Sequence, residues 1–229
     1  MSGFKLIVFD WDGTLMDSEA RIVACLRAAV TDLDLEPRTD EQYRNIIGLG
    51  LAEALQNLFP EHPTSIHEAL VAQYRHHFLD ANATPSTLFE GAAPTVRTLA
   101  ERGLLLAVAT GKGRRGLDRV LDETGMGQWF HATRCADETF SKPHPQMLLE
   151  IMDVLGADPR ETLMVGDTEY DMQLARNAGT AAVAVSYGVH TLGRLLAHEP
   201  LGHIDDIREL ISWMDARSGT EPHQLKEKA

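Results

Sequence analysis

Short apolar runs alternate along the chain with longer amphipathic stretches. Four such runs are bounded by glycine, aspartate or threonine: Leu6–Phe9, Leu104–Ala109, Thr162–Val165 and Ala181–Val185. Runs this short are typical of strands buried on both faces. Between them, apolar residues recur every three or four positions, as on the inner face of a helix. Because strands that alternate with helices form parallel sheets, the pattern predicts an α/β core with a doubly wound, Rossmann-like parallel sheet.

One stretch, from Asp17 to Thr87, interrupts this alternation. It contains helical patterns and no convincing strand, and Ser18 is a candidate N-cap for its first helix. We interpret the stretch as an all-helical insertion that directly follows the first strand. The chain then divides into an α/β core of residues 1–16 and 88–229 and a small helical cap of residues 17–87.

The composition narrows the possible partners. The 229 residues include 21 basic and 34 acidic side chains, for a formal net charge of −13. This balance disfavours nucleic acid and anionic membranes as main partners, since both would repel the chain. The two cysteines, Cys25 and Cys135, form no paired motif, which favours a reducing compartment. No signal-like segment and no apolar run of about 20 residues occurs, so we expect a cytoplasmic protein.

Polar and charged side chains gather where the predicted strands end or just before the next helix. In a parallel sheet the carboxyl ends of the strands share one edge, and ligands bind beyond it. We therefore expect seven residues to form a single site: Asp10, Asp12, Thr110, Gly111, Lys142, Asp167 and Asp171.

Clustered carboxylates imply a hard cation, because like charges in a dry cleft cannot all stay ionised without one. Mg²⁺ fits best, since it combines one or two carboxylates with waters and phosphate oxygens. A carboxylate beside such a metal can act as a nucleophile. Asp12 could then protonate a leaving oxygen, and Lys142 would neutralise the gathered negative charge. The Thr110 hydroxyl and the Gly111 N–H would hold a phosphoryl oxygen.

These residues lie in motifs that resemble those of the haloacid dehalogenase superfamily of phosphohydrolases. Residues 10–15, DWDGTL, are similar to its first motif, DxDGT followed by an apolar residue. Thr110 fits the second motif, Lys142 the third, and residues 166–171, GDTEYD, the fourth motif GDxxxD. The match covers essentially the whole chain. The helical insertion is similar to the cap of the phosphoglycolate phosphatase and β-phosphoglucomutase branch.

The resemblance implies a role for each residue. Asp10 would be the nucleophile that forms an aspartyl-phosphate, and Asp12 the general acid and then the base. Mg²⁺ would lie between Asp10, the backbone carbonyl of Asp12, and Asp167, with Asp171 in support. The presence of Asp12 argues against carbon–halogen hydrolysis, because the dehalogenases typically lack this aspartate.

The sequence thus predicts a Mg²⁺-dependent phosphatase that acts on a small phosphorylated metabolite as a monomer or homodimer. Phosphoglycolate is the first candidate substrate, and pyrophosphate, a nucleotide monophosphate or a sugar phosphate stay open. A phosphosugar mutase of the same fold is the main alternative, and a non-catalytic binding module is another. In the cap, Arg44 is the candidate for a substrate carboxylate or distal anion, with a solvated helix face as the competing interpretation.

A second pattern has the form of a dinucleotide-binding fingerprint. Residues 111–116 read GKGRRG, and Asp137 lies 21 residues beyond Gly116. However, this pattern follows the second strand rather than the first, and it leaves Asp10 and Lys142 without a role. We expect these glycines instead to let the backbone approach a phosphate next to Thr110.

Overall fold

The strands of this computed structural model, which describes residues 3–218, confirm the predicted doubly wound sheet. Residues 1–2 and 219–229 of the predicted core lie outside the described residues. Six strands form one parallel sheet in the order β5-β4-β1-β6-β7-β8, and two form a small antiparallel pair. The strands are β1 (Leu6–Phe9), β2 (Met16–Asp17), β3 (Thr87–Leu88), β4 (Leu105–Thr110), β5 (Ala132–Cys135), β6 (Thr162–Gly166), β7 (Ala181–Val185) and β8 (Gly202–Ile204).

Helices cover both faces of the sheet and form the cap. A π-helical turn, His77–Ala81, continues α4, and 3-10 turns occur at Met126–Trp129 and Pro159–Glu161. No helix within residues 3–218 combines the length and apolar character that a membrane crossing needs. The helices are α1 (Glu19–Asp32), α2 (Asp40–Asn45), α3 (Leu51–Leu58), α4 (Thr64–His76), α5 (Ala92–Glu101), α6 (Arg114–Thr124), α7 (Gln146–Leu155), α8 (Glu169–Ala178), α9 (Leu192–Leu196) and α10 (Glu209–Ser218).

Each face of the sheet has its own hydrophobic core. Ile7 and Phe9 of the central strand β1 pack on the side of α5, α6 and α10. Leu6 and Val8 pack on the side of α7, α8 and α9. All four side chains are fully buried, as period-two alternation requires in a strand covered on both faces.

The sequence patterns miss β5 and β8, which form the two edges of the sheet. β5 contains Thr133 and Arg134 and has only one fully buried residue, Cys135. β8 is three residues long. An edge strand contacts a neighbour on one side only, so its sequence carries no continuous apolar run.

Helices α1, α2, α3 and α4 and the loops between them, here called the cap, have a hydrophobic core of their own. The two connections between cap and core pair with each other as β2 and β3, with Met16 opposite Leu88 and Asp17 opposite Thr87. Ser18 does occupy the N-cap position of α1, but its side chain makes no capping hydrogen bond. It contacts a site residue instead, as described below.

Candidate active site

Three carboxylates and one ammonium form a buried group at the carboxyl edge of the sheet. Asp10 directly follows β1, Asp167 directly follows β6, and Asp171 lies in the first turn of α8. Lys142 Nζ lies 2.9 Å from Asp10 Oδ1 and 2.6 Å from Asp171 Oδ1. None of these four residues is more than 1% exposed. The structure therefore brings together four of the residues predicted from the strand ends.

Lys142 is a fixed positive charge in this group. Burial alone would lower the pKa of the ammonium, but Asp10 and Asp171 raise it above its ordinary value. Hydrogen bonds to both carboxylates hold the buried Lys142 side chain in place. An ammonium that is already desolvated and oriented is suited to stabilising negative charge in a transition state.

The three carboxylates also have the properties of a metal site. One oxygen of each lies within 4.8 Å of the others. Asp10 Oδ2 is buried and makes no hydrogen bond, although its other oxygen accepts one from Trp11 N–H at 2.7 Å. Burial raises the pKa of Asp10, and burial together with Asp171 raises the pKa of Asp167 to about 7. An all-oxygen donor set with an unsatisfied carboxylate fits Mg²⁺.

Asp167 is positioned by short contacts from two segments, residues 13–14 and 188–189. Thr14 Oγ1 donates to its Oδ1 at 2.7 Å, and Val189 N–H donates to its Oδ2 at 2.9 Å. A Cβ at Gly13 or Gly188 would lie 2.2 Å from the Asp167 side chain, so both positions require glycine. Gly13 also has φ +83°, a conformation that glycine adopts without strain.

Asp171 has two functions in the local structure. Its Oδ1 faces Lys142, whereas its Oδ2 accepts hydrogen bonds from Thr168 N–H at 3.0 Å and Thr168 Oγ1 at 2.7 Å. These bonds belong to the capping box that begins α8. The helix start therefore fixes the carboxylate in place beside Lys142.

Asp12 lies apart from this acidic group and has other partners. Lys112 Nζ donates to both of its oxygens, at 2.8 and 2.9 Å, and Ser18 Oγ donates to Oδ1 at 2.6 Å. The Phe78 ring of the cap lies against the same ammonium, 4.5 Å from Nζ to the ring centroid. Sequence reasoning did not assign a site role to Lys112 or Ser18. Lys112 follows β4 by two residues and Asp12 follows the adjacent parallel strand β1 by three, so both leave the same edge of the sheet, and this placement is a usable signal.

The cap reaches the catalytic edge through the loop of residues 48–50. A Cβ at Gly111 would lie 2.5 Å from the carbonyl oxygen of Leu49 and 2.7 Å from that of Gly48. Gly50 N–H donates to Ser141 Oγ at 2.7 Å. Position 111 is therefore glycine for a steric reason, because the cap loop occupies the space of a side chain. Thr110, next to it, is fully buried at the end of β4.

A cleft of about 490 Å³ lies between cap and core. Asp10, Asp12 and Thr110 line it from the core, and residues 46–54 and the α4 region line it from the cap. Clefts of about 300–1,000 Å³ accommodate small-molecule ligands. The two carboxylates that the first motif supplies thus open on the same space.

Arg44 does not contribute to this cleft. Its guanidinium forms an ion pair with Glu19 at the surface of the cap, and its side chain is 49% exposed. Its position in the sequence, four residues before Gly48, did not determine the direction of the side chain. The expectation that Arg44 contacts substrate therefore has no support in the structure.

The remaining candidates have structural roles. Asp137 Oδ1 accepts a hydrogen bond from Arg114 N–H at 2.9 Å, at the start of α6. This contact is a helix-start interaction rather than the ribose contact of a dinucleotide site. Burial raises the pKa of Cys25 to about 11 and that of Cys135 to about 12, so both thiols are unreactive.

The model of the family described as haloacid dehalogenase-like hydrolase matches residues 7–185, a span that includes all seven residues that the sequence predicts to form the site. The chain belongs to this family. This hydrolase is 34% identical over 212 residues to the "Probable phosphatase IndB" of Dickeya dadantii, covering 90% of this chain and 91% of that protein. It is also 34% identical over 229 residues to a phosphoglycolate phosphatase of Pseudomonas syringae pv. syringae, covering 92% and 83% respectively.

A solved structure supports the same assignment. A haloacid dehalogenase-like hydrolase from Bacteroides fragilis superposes with a TM-score of 0.84 at 26% identity, covering 90% of this chain and 99% of that one. The predicted family, fold class and enzyme class are thus confirmed, and the chain is a phosphatase of this family.

Proposed function

We propose that the chain hydrolyses a small phosphomonoester in a Mg²⁺-dependent reaction, with Asp10 as the nucleophile. The observation that carries this proposal is the environment of Asp10. Its Oδ1 is held by Trp11 N–H and Lys142, while its buried Oδ2 has no hydrogen-bond partner and the residue lines the cleft. The carboxylate is thus oriented through Oδ1, and Oδ2 is left unpaired for the metal ion or for the attack on phosphorus.

Asp10, Asp167 and Asp171 would hold the metal ion together with the backbone carbonyl of Asp12, and the ion would supply positive charge that balances carboxylates and phosphate. Asp10 attacks phosphorus, and the bond between phosphorus and the leaving oxygen breaks. Asp12, in its protonated form, donates a proton to that oxygen. As carboxylate, Asp12 then accepts a proton from the water that hydrolyses the aspartyl-phosphate.

Other groups at the edge bind the phosphoryl oxygens. The Thr110 hydroxyl and the Gly111 N–H lie at the end of β4, beside Asp10, which directly follows the adjacent strand β1. Lys142 balances charge next to the nucleophile. The cap contributes no carboxylate to the acidic group, so its part is to enclose the substrate and to select the leaving group.

Phosphoglycolate is the first substrate to test, because it is named in the phosphoglycolate phosphatases that the chain resembles. The two-carbon leaving group carries a carboxylate, which requires a cationic partner in the cleft. Arg44 pairs with Glu19 and does not line the cleft, so it does not supply this partner.

The Asp10→Asn variant tests the proposed function. We expect phosphate release from small phosphomonoesters to fall at least about a thousandfold, because an amide is a poor nucleophile. Acid-quenched wild-type chain should carry a phosphoryl group detectable by mass spectrometry, and the variant should not. Omission of Mg²⁺ should abolish wild-type turnover.

Asp153→Asn is the matched control, since this carboxylate is exposed on α7 away from the cleft. It should retain wild-type turnover, and both variants should unfold no earlier than wild type on heating. Phosphate release by Asp10→Asn at more than a few per cent of the wild-type rate would overturn the assignment of the nucleophile.

A further inference from the structure

Four arginine side chains within residues 3–218 make no hydrogen bond or ion pair. All four are exposed, and they are Arg75, Arg115, Arg160 and Arg176. Two of them, Arg75 and Arg115, line the cleft. One comes from the cap and the other from the core. Unpaired cations at this place are notable in a chain with 34 acidic and 21 basic residues.

Arg75 belongs to the helix face that forms the cap wall of the cleft. Val71, Tyr74, Arg75 and Phe78 follow the spacing i, i+3, i+4 and i+7, and all four line the cleft. Residues with this spacing lie on one side of a helix. The guanidinium therefore starts from the same side as the apolar wall.

Arg115 lies opposite, in the first turn of α6. Two contacts join α6 and the loop before it to the cap: Lys112 Nζ lies against the Phe78 ring, and Arg119 donates to the carbonyl oxygen of Leu79. Arg115 lies three residues after Lys112 and four before Arg119, on the helix side that faces the cap. Arg75 lies three residues before Phe78 and four before Leu79. The two free guanidiniums thus flank the same line of contact between cap and core, where Lys112 and Arg119 meet Phe78 and Leu79, here called the seam.

We propose that Arg75 and Arg115 form a subsite for a second anionic group of the substrate, distal to the phosphate that Asp10 attacks. This inference rests on the proposed function, because it concerns the leaving group of the same reaction. A guanidinium presents paired N–H donors that match a carboxylate or a phosphate. An anion bound there would contact cap and core together.

The local charge favours this position over the rest of the rim. The other carboxylates that line the cleft, besides Asp10 and Asp12, are Glu53 and Asp137. Glu53 also borders a smaller cavity next to Pro143, which places it on the α7 side of the rim. Asp137 is engaged with Arg114 N–H and Gly113 at the start of α6. At the seam, Lys112 is paired with Asp12, so Arg75 and Arg115 are the cations available to a ligand.

The test compares ligands that differ only in the distal group. Alkyl phosphonates of increasing chain length are paired with carboxyalkyl phosphonates and with bisphosphonates of the same length, and binding is measured by calorimetry in the presence of Mg²⁺. For at least one length, we expect an anionic end to tighten binding to the wild-type chain about tenfold. The carboxylate and bisphosphonate arms show which anion the subsite prefers.

Arg75→Gln and Arg115→Gln should each remove most of this advantage while leaving the binding of the plain alkyl phosphonate unchanged. Arg75→Lys should retain part of it, because the charge remains and the fork is lost. Arg160→Gln is the matched control, an exposed and unpaired arginine outside the cleft, and it should behave as wild type.

The inference is overturned if no chain length shows an advantage for the anionic end, or if the advantage survives both substitutions. Turnover of ethyl phosphate is measured in parallel. Absence of turnover with every phosphate ester would contradict the proposed function, whereas phosphonate binding would still decide the subsite.

Discussion

The site contains two lysines that pair with different aspartates, and the surroundings of the two lysines differ. Lys142 is fully buried in the core and contacts Asp10 and Asp171, both core residues. Lys112 contacts Asp12 on one side and the cap residue Phe78 on the other. The first pair is complete within one domain, whereas the second lies at the seam between two.

This difference separates two parts of the proposed reaction. Asp10 and Lys142 are positioned by the sheet edge and α8, and their ion pairs involve core residues. Lys112 contacts both Asp12 and the cap residue Phe78, so the proposed proton-transfer group lies next to the cap. Enclosure of the substrate by the cap is therefore linked to the positioning of Asp12 for proton transfer.

Lys142→Met should have the largest effect on the core pair. Removal of the ammonium leaves buried carboxylates without their cation, and breaking a buried ion pair destabilises a protein by about 3–5 kcal/mol. We expect a loss of this size in urea unfolding without Mg²⁺ and at least about a hundredfold loss of turnover. Saturating Mg²⁺ should restore part of the stability. A loss of less than about 1 kcal/mol would show that the carboxylates do not depend on Lys142.

Asp12→Asn should separate the two parts of the reaction by leaving group. Loss of general acid catalysis slows a reaction by about 10²–10⁴-fold when the leaving oxygen needs a proton. We expect phosphorylation of Asp10 by an alkyl phosphate to slow by this factor and phosphorylation by p-nitrophenyl phosphate to slow much less. Rapid-quench measurement of the first turnover reports this step. Equal losses for both esters would contradict the acid role.

Lys112→Met should have a smaller effect than Lys142→Met on both stability and turnover. Asp12 keeps Ser18 as a partner and lines the cleft, where water can reach it. We expect a loss of about 1–2 kcal/mol in unfolding free energy and about a tenfold loss of kcat/KM for alkyl phosphates. If the two lysine variants lose the same stability, the contrast between core and seam is wrong.

The pH dependence of stability should be the smallest of these effects, and it probes a different contact between cap and core, the one at Asn45. His190 packs against Tyr170, whose hydroxyl donates to the cap at the carbonyl oxygen of Asn45. Burial, with Arg194, lowers the pKa of His190 below its ordinary value. The unfolded chain then binds the proton at His190 more readily than the folded chain does. The contribution of His190 to the free energy of unfolding is therefore complete above about pH 6.5 and is lost as the pH falls below that value. His190→Asn should flatten this dependence in thermal unfolding between pH 7 and 5.

The residues that could be predicted from sequence are those whose position follows from a strand end. Asp10 and Asp167 directly follow buried apolar strands, and parallel pairing brings them to one edge. Lys112 was missed because its side-chain partner lies 100 positions away and the surrounding glycines suggested another motif. Helix periodicity does not say which face of a cap helix meets the core, so it could not predict that Arg44 lies outside the lining of the cleft. Its guanidinium pairs with Glu19 instead.

The bare position at Gly111 has a consequence for how such enzymes diversify. The carbonyl groups of Gly48 and Leu49 occupy the volume of a side chain at this position, immediately after Thr110. A cap grafted from a relative would fit this core only if its loop could pack against a residue without a side chain at position 111. Cap and core are therefore not interchangeable modules, although the chain enters and leaves the cap through one short antiparallel pair of strands, β2 and β3. New specificities should arise by changes within this cap, and the 48–50 loop and position 111 should change as a pair.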